Sequence, residues 1–308
     1  MSRGALVSTF AMIGSAACWG FATVMSRDLL DSIPSSPLLV VQLTASVTVL
    51  WLLAAAERPR AIFDGTLAKA SLTGILEPGL AYAVGLLGLA YTTASNASVI
   101  SSTEPIMIVV LAWLLLGQRP TARLAVSIAV AVAGVTIVSW SDLMSAEAES
   151  SNLVGDVLIV IATAFAACYV VLSSRLARNY EPGTLAASQQ SVGLMFALLV
   201  YVIVAAAGAQ QHDWKSLSAG TLAYAEFSGV VQYAAAFWLY LLGLRYLSAG
   251  VAALWLTLIP VFGVIGAMLW LGEQPHPSLF AGGALIVLAI IVGASEFHAV
   301  PDPEATTP

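Results

Sequence analysis

Charge is scarce in this chain. Of 308 residues, 9% are Asp, Glu, Lys or Arg, whereas 59% are hydrophobic. Soluble globular chains carry about 25% charged residues, so this chain lacks the polar surface that would cover a core of its size in water. Histidine is scarce too. His212, His276 and His298 fall between the apolar stretches or in the tail, so a membrane metal hydrolase has no ligands to draw on. No Walker A sequence occurs, which argues against direct drive by ATP. The two cysteines, Cys18 and Cys168, make neither a disulfide framework nor a metal-ligand spacing. Both lie inside apolar stretches and read as small apolar fillers. The basic residues are too few and too scattered for nucleic acid. Nothing in the sequence implies a cofactor or a metal.

In place of these features there are hydrophobic stretches of one recurring length. Mean hydropathy is +0.92, and a bilayer crossing takes roughly 20 mostly apolar residues. Ten stretches qualify, at about 6–26, 38–56, 68–89, 95–116, 122–140, 155–174, 184–207, 219–243, 248–271 and 278–296. The links are short and leave no room for a soluble domain. The first stretch is too long for a signal-peptide core, and Arg27, Asp28 and Asp31 follow it, so it reads as a retained helix. The expected fold class is an all-α polytopic membrane protein with ten transmembrane helices.

Basic residues set the expected orientation. With the N-terminus inside, Arg3, Arg58, Arg60, Lys69, Arg119, Arg123, Arg175, Arg178 and Arg245 are cytoplasmic, and only Arg27 and Lys215 are outside. This bias places both termini in the cytoplasm, and the expected location is the cell's inner (plasma) membrane. Asp142, Glu147 and Glu149 sit in the longest outer loop and contribute to the net charge of −6.

The sequence also repeats. A shift of 155 residues lays "LLGLAYTTASNAS" on "LLGLRYLSAGVAA" and "EPIMIVVLAWLLLGQRP" on "IPVFGVIGAMLWLGEQP". Over Leu86 to Pro120, 14 of 35 positions are identical, including Gly88/Gly243, Tyr91/Tyr246, Pro105/Pro260, Gly117/Gly272 and Pro120/Pro275. A weaker match, at a shift of 150, joins Ala16–Trp19 with Ala166–Tyr169. Two units are expected, residues 1–146 and residues 147–308, the second ending in a short cytoplasmic tail. Five spans is an odd number, so the second unit enters the membrane upside down. That is the inverted-repeat plan of secondary transporters.

A ten-helix chain of two five-helix halves, with "CWGFATVMSR" in the first span and "TEP…LLLGQRP" closing the fourth, resembles the drug/metabolite transporter superfamily. "WLGEQP" fits the LGE-like turn of its EamA-type members, and "LLLGQRP" departs from it by placing Gln118 where an acid is usual. The resemblance covers essentially the whole chain. It implies transport of small organic solutes, with the aromatic amino acid exporters as the nearest group.

Buried polar residues mark candidate positions. Glu104 stands before Pro105 in an apolar span. An ionised acid at the centre of a lone helix costs about 2.5–3.5 kcal/mol on insertion scales, so it is expected to face the bundle or a cavity. Pro105 frees the Ser101 carbonyl, which would group a carbonyl, a hydroxyl and a carboxyl at one depth. The repeat mate of Glu104 is Ile259, so the scaffold does not require an acid there. The roles to weigh are contact with a substrate ammonium, proton carriage, or a protonated acid bonded to a neighbouring helix. Glu77 before Pro78 repeats the pattern in the third span, and its repeat mate is Gln232, also polar. Glu226 lies nearer the outer end of its span, where access to water explains it. Pro78, Pro105 and Pro260 are candidate helix breaks or hinges.

Aromatic residues are the second signal. Trp19, Tyr82, Tyr169, Tyr233, Phe237, Trp238 and Trp255 fall well inside spans. Trp51, Trp113, Trp140, Trp214 and Trp270 lie near span ends or in loops, where interface anchoring suffices. Packing explains any single ring, but the group suits an aromatic or amphipathic organic solute better than a small ion. The candidate substrate-binding residues are therefore Trp19, Glu77, Tyr82, Ser101, Glu104, Tyr169, Gln232, Phe237, Trp238 and Trp255. Gly14, Ser15, Ala16 and Ala17, with Gly282, Gly283 and Ala284, suit close helix crossings.

The sequence therefore points to a secondary transporter of a small-molecule solute in the lipid bilayer, exporting amino acids or related metabolites by alternating access. A drug or aromatic-cation exporter on the same fold is the alternative. A channel would need a ring of like polar groups, and an enzyme a nucleophile with its base; neither pattern is present. A proton is the candidate coupling ion. One chain holds both halves and could work as a monomer.

Overall fold

The computed structural model describes residues 3–30, 32–57, 65–89, 91, 100–101, 103–138, 153–208, 217–266, 268–269 and 277–293. Asp31, Arg58, Arg60, Trp140, Asp142, Glu147, Glu149, Trp214, Lys215, Trp270 and the three histidines lie outside the described residues. Within them the regular structure is helical. Helices α1 (Arg3–Leu30) and α2 (Ser35–Glu57) have 28 and 23 residues. At 1.5 Å per residue each exceeds the roughly 30 Å of a bilayer's hydrocarbon core. Helices α6 (Leu153–Leu176) and α7 (Pro182–Ala206) are comparably long and apolar. The shorter α4 (Glu104–Leu116), α5 (Ala122–Val138) and α10 (Pro277–Gly293) are apolar along their length.

Three spans are broken. α3 runs through Gly65–Ser71, a tight 3-10 turn at Leu72–Ile75, a widened turn at Leu76–Leu80, and Ala81–Leu89. Glu77 leaves helical space there, at φ −147° and ψ 126°, because Pro78 lacks an N–H and crowds the residue before it. α8 runs through Ala219–Gly229, a widened turn at Val230–Ala235, and Ala236–Leu244. Shifting Leu76–Leu80 by 155 residues gives 231–235, so both halves interrupt the same helix at the same place. α9 consists of Ala249–Leu256 and Ile259–Gly266, with Ser248 capping the first piece.

One expectation changes at α4. A helix over 95–116 would place Pro105 in its middle. Instead α4 begins at Glu104, with Thr103 as its N-cap residue and Pro105 in the first turn. A proline costs nothing there, since a first-turn N–H has no intrahelical acceptor. Pro260 holds the matching place, second in Ile259–Gly266. Gly117 closes α4 in the left-handed conformation at φ 68°, a position that glycine fills without strain.

The outer surface is unlike that of a soluble protein. Phe10, Leu114, Met195, Leu199, Val202 and Ile291 are exposed, whereas Ser15, Gln42, Ser46, Gln189, Gln190 and Gln232 are buried. An apolar exterior, with amides and hydroxyls set among the apolar residues of the core, suits lipid as the surrounding solvent.

The helices pair reciprocally. α2 packs on α7, and α5 on α10. The contact of α3 with α6 is matched by that of α8 with α1, and the contact of α4 with α6 by that of α9 with α1. Glycines set the closest approaches. A Cβ on Gly74 would lie 1.8 Å from the Gln189 carbonyl oxygen, and one on Gly229 would lie 2.4 Å from Gln42 Cα. Likewise a Cβ on Gly88 would meet Ile159, and one on Gly243 would meet Met12. Gly74/Gly229 and Gly88/Gly243 are offset by 155 residues, and Gln42/Gln189 and Met12/Ile159 by 147. In α1 and α6 the packing register is therefore 147 rather than 150. The weaker sequence match misses that register by three residues, close to one helical turn.

Candidate functional site

Buried glutamines hold the helices around the centre. Gln42 Nε2 donates to Ser26 Oγ and to Ser228 Oγ, each at 2.9 Å. Gln189 Nε2 donates to Ser173 Oγ at 3.1 Å and to Thr73 Oγ1 at 2.7 Å. Ser26/Ser173 carry the 147 offset and Thr73/Ser228 the 155 offset, so the two sets are equivalent. Each set extends by one further bond. Ser26 donates to Gln232 Oε1 at 2.7 Å, and the Tyr169 hydroxyl donates to Gln189 Oε1 at 3.0 Å. Gln190 Nε2 donates to the Tyr233 carbonyl at 2.7 Å, and its Oε1 accepts from Ser46. That last carbonyl lies inside the widened turn of α8, and irregular backbone in a membrane requires such a partner.

Inside this frame lies a cluster of rings. Trp19 on α1 meets Phe237 edge-on at a centroid distance of 5.1 Å, and Tyr240 at 5.4 Å. Tyr169 on α6 meets Phe237 at 5.7 Å. Tyr82 on α3 meets Tyr233 at 5.3 Å, and Tyr233 stacks on Phe237 at 6.3 Å. Six rings from α1, α3, α6 and α8 are thus continuous, and they join the two halves.

Two carboxylates lie within electrostatic range of the rings. Glu77 and Glu104 are partly buried and close enough for their charges to interact. Glu77 is also within electrostatic reach of Tyr82, Tyr169, Tyr233 and Tyr240, and Glu104 of Tyr82 and Tyr240. Neither carboxylate has an Arg or Lys partner among the described residues. The arrangement offers two acceptor-only groups within electrostatic range of the ring cluster, a setting that suits an organic cation.

Of the expected residues, Trp19, Glu77, Tyr82, Glu104, Tyr169, Gln232 and Phe237 come together. Pro78 and Pro105 are buried beside their acids, and Trp255 is buried on α9. Ser101 is exposed, so the cluster of carbonyl, hydroxyl and carboxyl expected around Pro105 does not form. The side chain of Pro260 lies outside the described residues. Trp238 turns toward one end of the bundle, where its Nε1 donates to Glu57 Oε1 at 3.4 Å. Glu226 is exposed. Sequence reasoning missed Gln42, Gln189, Gln190, Glu57 and Tyr240. The signal for the glutamines was there: "VVQLT" and "ASQQSV" set amides inside apolar runs.

A polytopic helical bundle with a polar and aromatic centre between two repeated halves defines a membrane transporter. The model of the EamA-like transporter family matches residues 6–140 and again 153–293, so the chain belongs to that family. An "uncharacterized transporter" of Archaeoglobus fulgidus is 26% identical over 219 residues, 71% of this chain and 73% of its own length. A "probable terminal-alkyne amino-acid exporter" of Streptantibioticus cattleyicolor is 24% identical over 291 residues, 92% of each chain. One solved structure superimposes with a TM-score of 0.77, covering 95% of this chain and 99% of its own, at 14% identity. That likeness concerns the fold alone.

Proposed function

We propose that this protein is a secondary transporter that exports small organic solutes, foremost amino acids with aromatic or other apolar side chains and related metabolites. The observation that carries this reading is the pair Glu77 and Glu104. Both lack a cationic partner among the described residues, and both lie within electrostatic range of tyrosines in the six joined rings. A solute ammonium would supply the missing charge, and the rings would take its apolar body. The name of the Streptantibioticus relative points the same way.

Alternating access follows from the repeats. Residues 1–146 and 147–308 are two units inverted in the membrane, each able to take the other's conformation. The reciprocal helix contacts support this reading. The interruptions beside Pro78, Pro105 and Pro260 are the hinges of this exchange. A proton carried by Glu77 or Glu104 is the coupling ion, both termini are cytoplasmic in the inner membrane, and the single chain works as a monomer.

A second reading, export of drugs or aromatic cations, has one observation in its favour. Among the described residues, no Arg or Lys pairs with the acids that would seat the ammonium, so none stands beside them for a solute carboxylate. Counterflow in proteoliposomes decides, using amino acids, polyamines and aromatic cations with and without a pH gradient. Amino acid counterflow supports the first reading. Counterflow by cations alone selects the second, and none with either class removes both.

A further inference from the structure

α4, α6 and α9 meet at the end of the bundle where Arg175, Arg178 and Arg245 gather. Between them lies a half-open cavity of about 360 Å³. Arg175 and Arg178 line it, with Ser174, Asn179 and Ser248 as further polar groups and Leu116 and Leu247 as apolar wall. Arg175 Nη2 lies 3.5 Å from the Leu115 carbonyl, and neither arginine has a carboxylate partner among the described residues. Glu181, three residues beyond Arg178, is engaged by Arg245 at 2.9 Å. The cavity therefore holds two cationic groups with no acid among the described residues to neutralise them.

A second observation concerns Gln118, which also lines the cavity. Its side-chain oxygen is buried and accepts no hydrogen bond. Leaving a buried acceptor unmet is unfavourable, so the cavity calls for a donor as well as an anion. A third observation is the approach to it. Trp113, Leu114 and Leu115, on the last turn of α4, are exposed, and they lead from the cavity onto the apolar outer surface. A free inorganic anion would satisfy the arginines and leave both the donor and the apolar approach unexplained.

We infer that this cavity binds the phosphodiester headgroup of a membrane phospholipid. The phosphate sits against Arg175 and Arg178, a headgroup hydroxyl or ammonium donates to Gln118, and the acyl chains lie along α4. Juxtamembrane basic clusters attract anionic lipid at about fivefold per arginine. The cavity takes residues from both halves, so a bound lipid ties α4 to α6 and α9 in the conformation seen here.

Native mass spectrometry of the purified full chain tests this, with phosphatidylglycerol and phosphatidylcholine of the same acyl chains, and with glycerol phosphate. Wild type should retain phosphatidylglycerol over phosphatidylcholine. Arg178→Gln should weaken that retention about fivefold, Arg175→Gln with Arg178→Gln about 25-fold, and Arg178→Lys much less. Gln118→Leu should narrow the preference between the two lipids. Both arginines are exposed, so the variants are expected to fold, and monodispersity on size exclusion checks this. The inference is overturned if the double variant holds phosphatidylglycerol as wild type does. It is also overturned if glycerol phosphate displaces the lipid at equal concentration, which would make this a site for soluble phosphate.

Discussion

Gln42 and Gln189 lie in equivalent places in the two halves, and each donates to one hydroxyl on its own half and one on the other. Gln42 reaches Ser26 and Ser228, and Gln189 reaches Ser173 and Thr73. Both amides are buried, so each bond replaces one that water cannot supply.

Replacing either glutamine by leucine should therefore destabilise the protein to a similar degree. Interhelical hydrogen bonds in membranes average about 0.6 kcal/mol and reach about 1.7. Leucine can donate neither of the two bonds, so Gln42→Leu and Gln189→Leu should each cost about 1–2 kcal/mol. Thermal unfolding in detergent measures it. If one variant matched wild type while the other fell, the two networks would not be equivalent.

The close approaches at glycine predict a sharper contrast. Gly74→Ala would put a methyl 1.8 Å from a backbone oxygen, and Gly229→Ala would put one 2.4 Å from backbone atoms of Gln42. Backbone cannot move aside as a side chain tip can, so neither variant should yield monodisperse protein. Gly65→Ala and Gly283→Ala meet nothing within 4 Å and should elute as wild type. Normal elution of Gly74→Ala would mean that α3 and α7 stand further apart.

Much of this fold was legible in the sequence. Span-length apolar runs gave the helices, and Gly88, Pro105 and Gly117, each identical in its mate, gave the 155-residue repeat. The register of α1 and α6 was harder to read. Ser26 and Ser173 are small polar residues among many, and only their shared partners single them out. The candidate site was half visible. Glu77 and Glu104 are conspicuous as acids in apolar spans, and Pro78 marked the break in α3. Pro105 marked an interruption too, with Ile100 and Ser101 helical before Thr103 and a new helix from Glu104, but the sequence did not show that Ser101 would be exposed. Glu57 and Tyr240 gave no warning, since an acid at a helix end and a tyrosine in a span have ordinary explanations.

Glu57 has a definite task in the structure. Its carboxylate accepts from the Gly183 and Thr184 amides at 3.1 and 3.2 Å and from the Trp238 indole. It caps α7 from the end of α2, where a negative charge also suits the helix dipole. Glu57→Ala should cost about 1 kcal/mol, as loss of an N-cap does. The exposed pair Arg245–Glu181 should give much less, since such pairs contribute about 0–1 kcal/mol. Chemical denaturation of Glu57→Ala beside Arg245→Gln compares them. A larger loss for Arg245→Gln would contradict the capping role.

Trp19 and Trp238 should behave differently on truncation. Trp19 belongs to the joined rings, so Trp19→Ala should weaken transport of large solutes more than small ones. Trp238 also serves the α7 cap, so Trp238→Ala should lower transport of all solutes more evenly. Uptake rates across a solute series of graded size distinguish the two. The same size profile for both variants would remove Trp19 from solute contact.

Glu77 and Glu104 make the most direct test of mechanism. Glutamine keeps the shape and removes the charge, and neither acid forms an ion pair among the described residues. Glu77→Gln and Glu104→Gln should therefore fold. If an acid seats a solute ammonium, its variant should lose most counterflow of amine-bearing solutes, by about tenfold or more, since a charge-assisted contact contributes about 1.5–3 kcal/mol. If it carries the coupling proton, counterflow at equal pH should survive while uphill export driven by a pH gradient disappears. The two assays, run on one proteoliposome preparation, separate the roles. Full activity in both, with an unchanged pH profile, would leave that acid no part in transport and return it to packing.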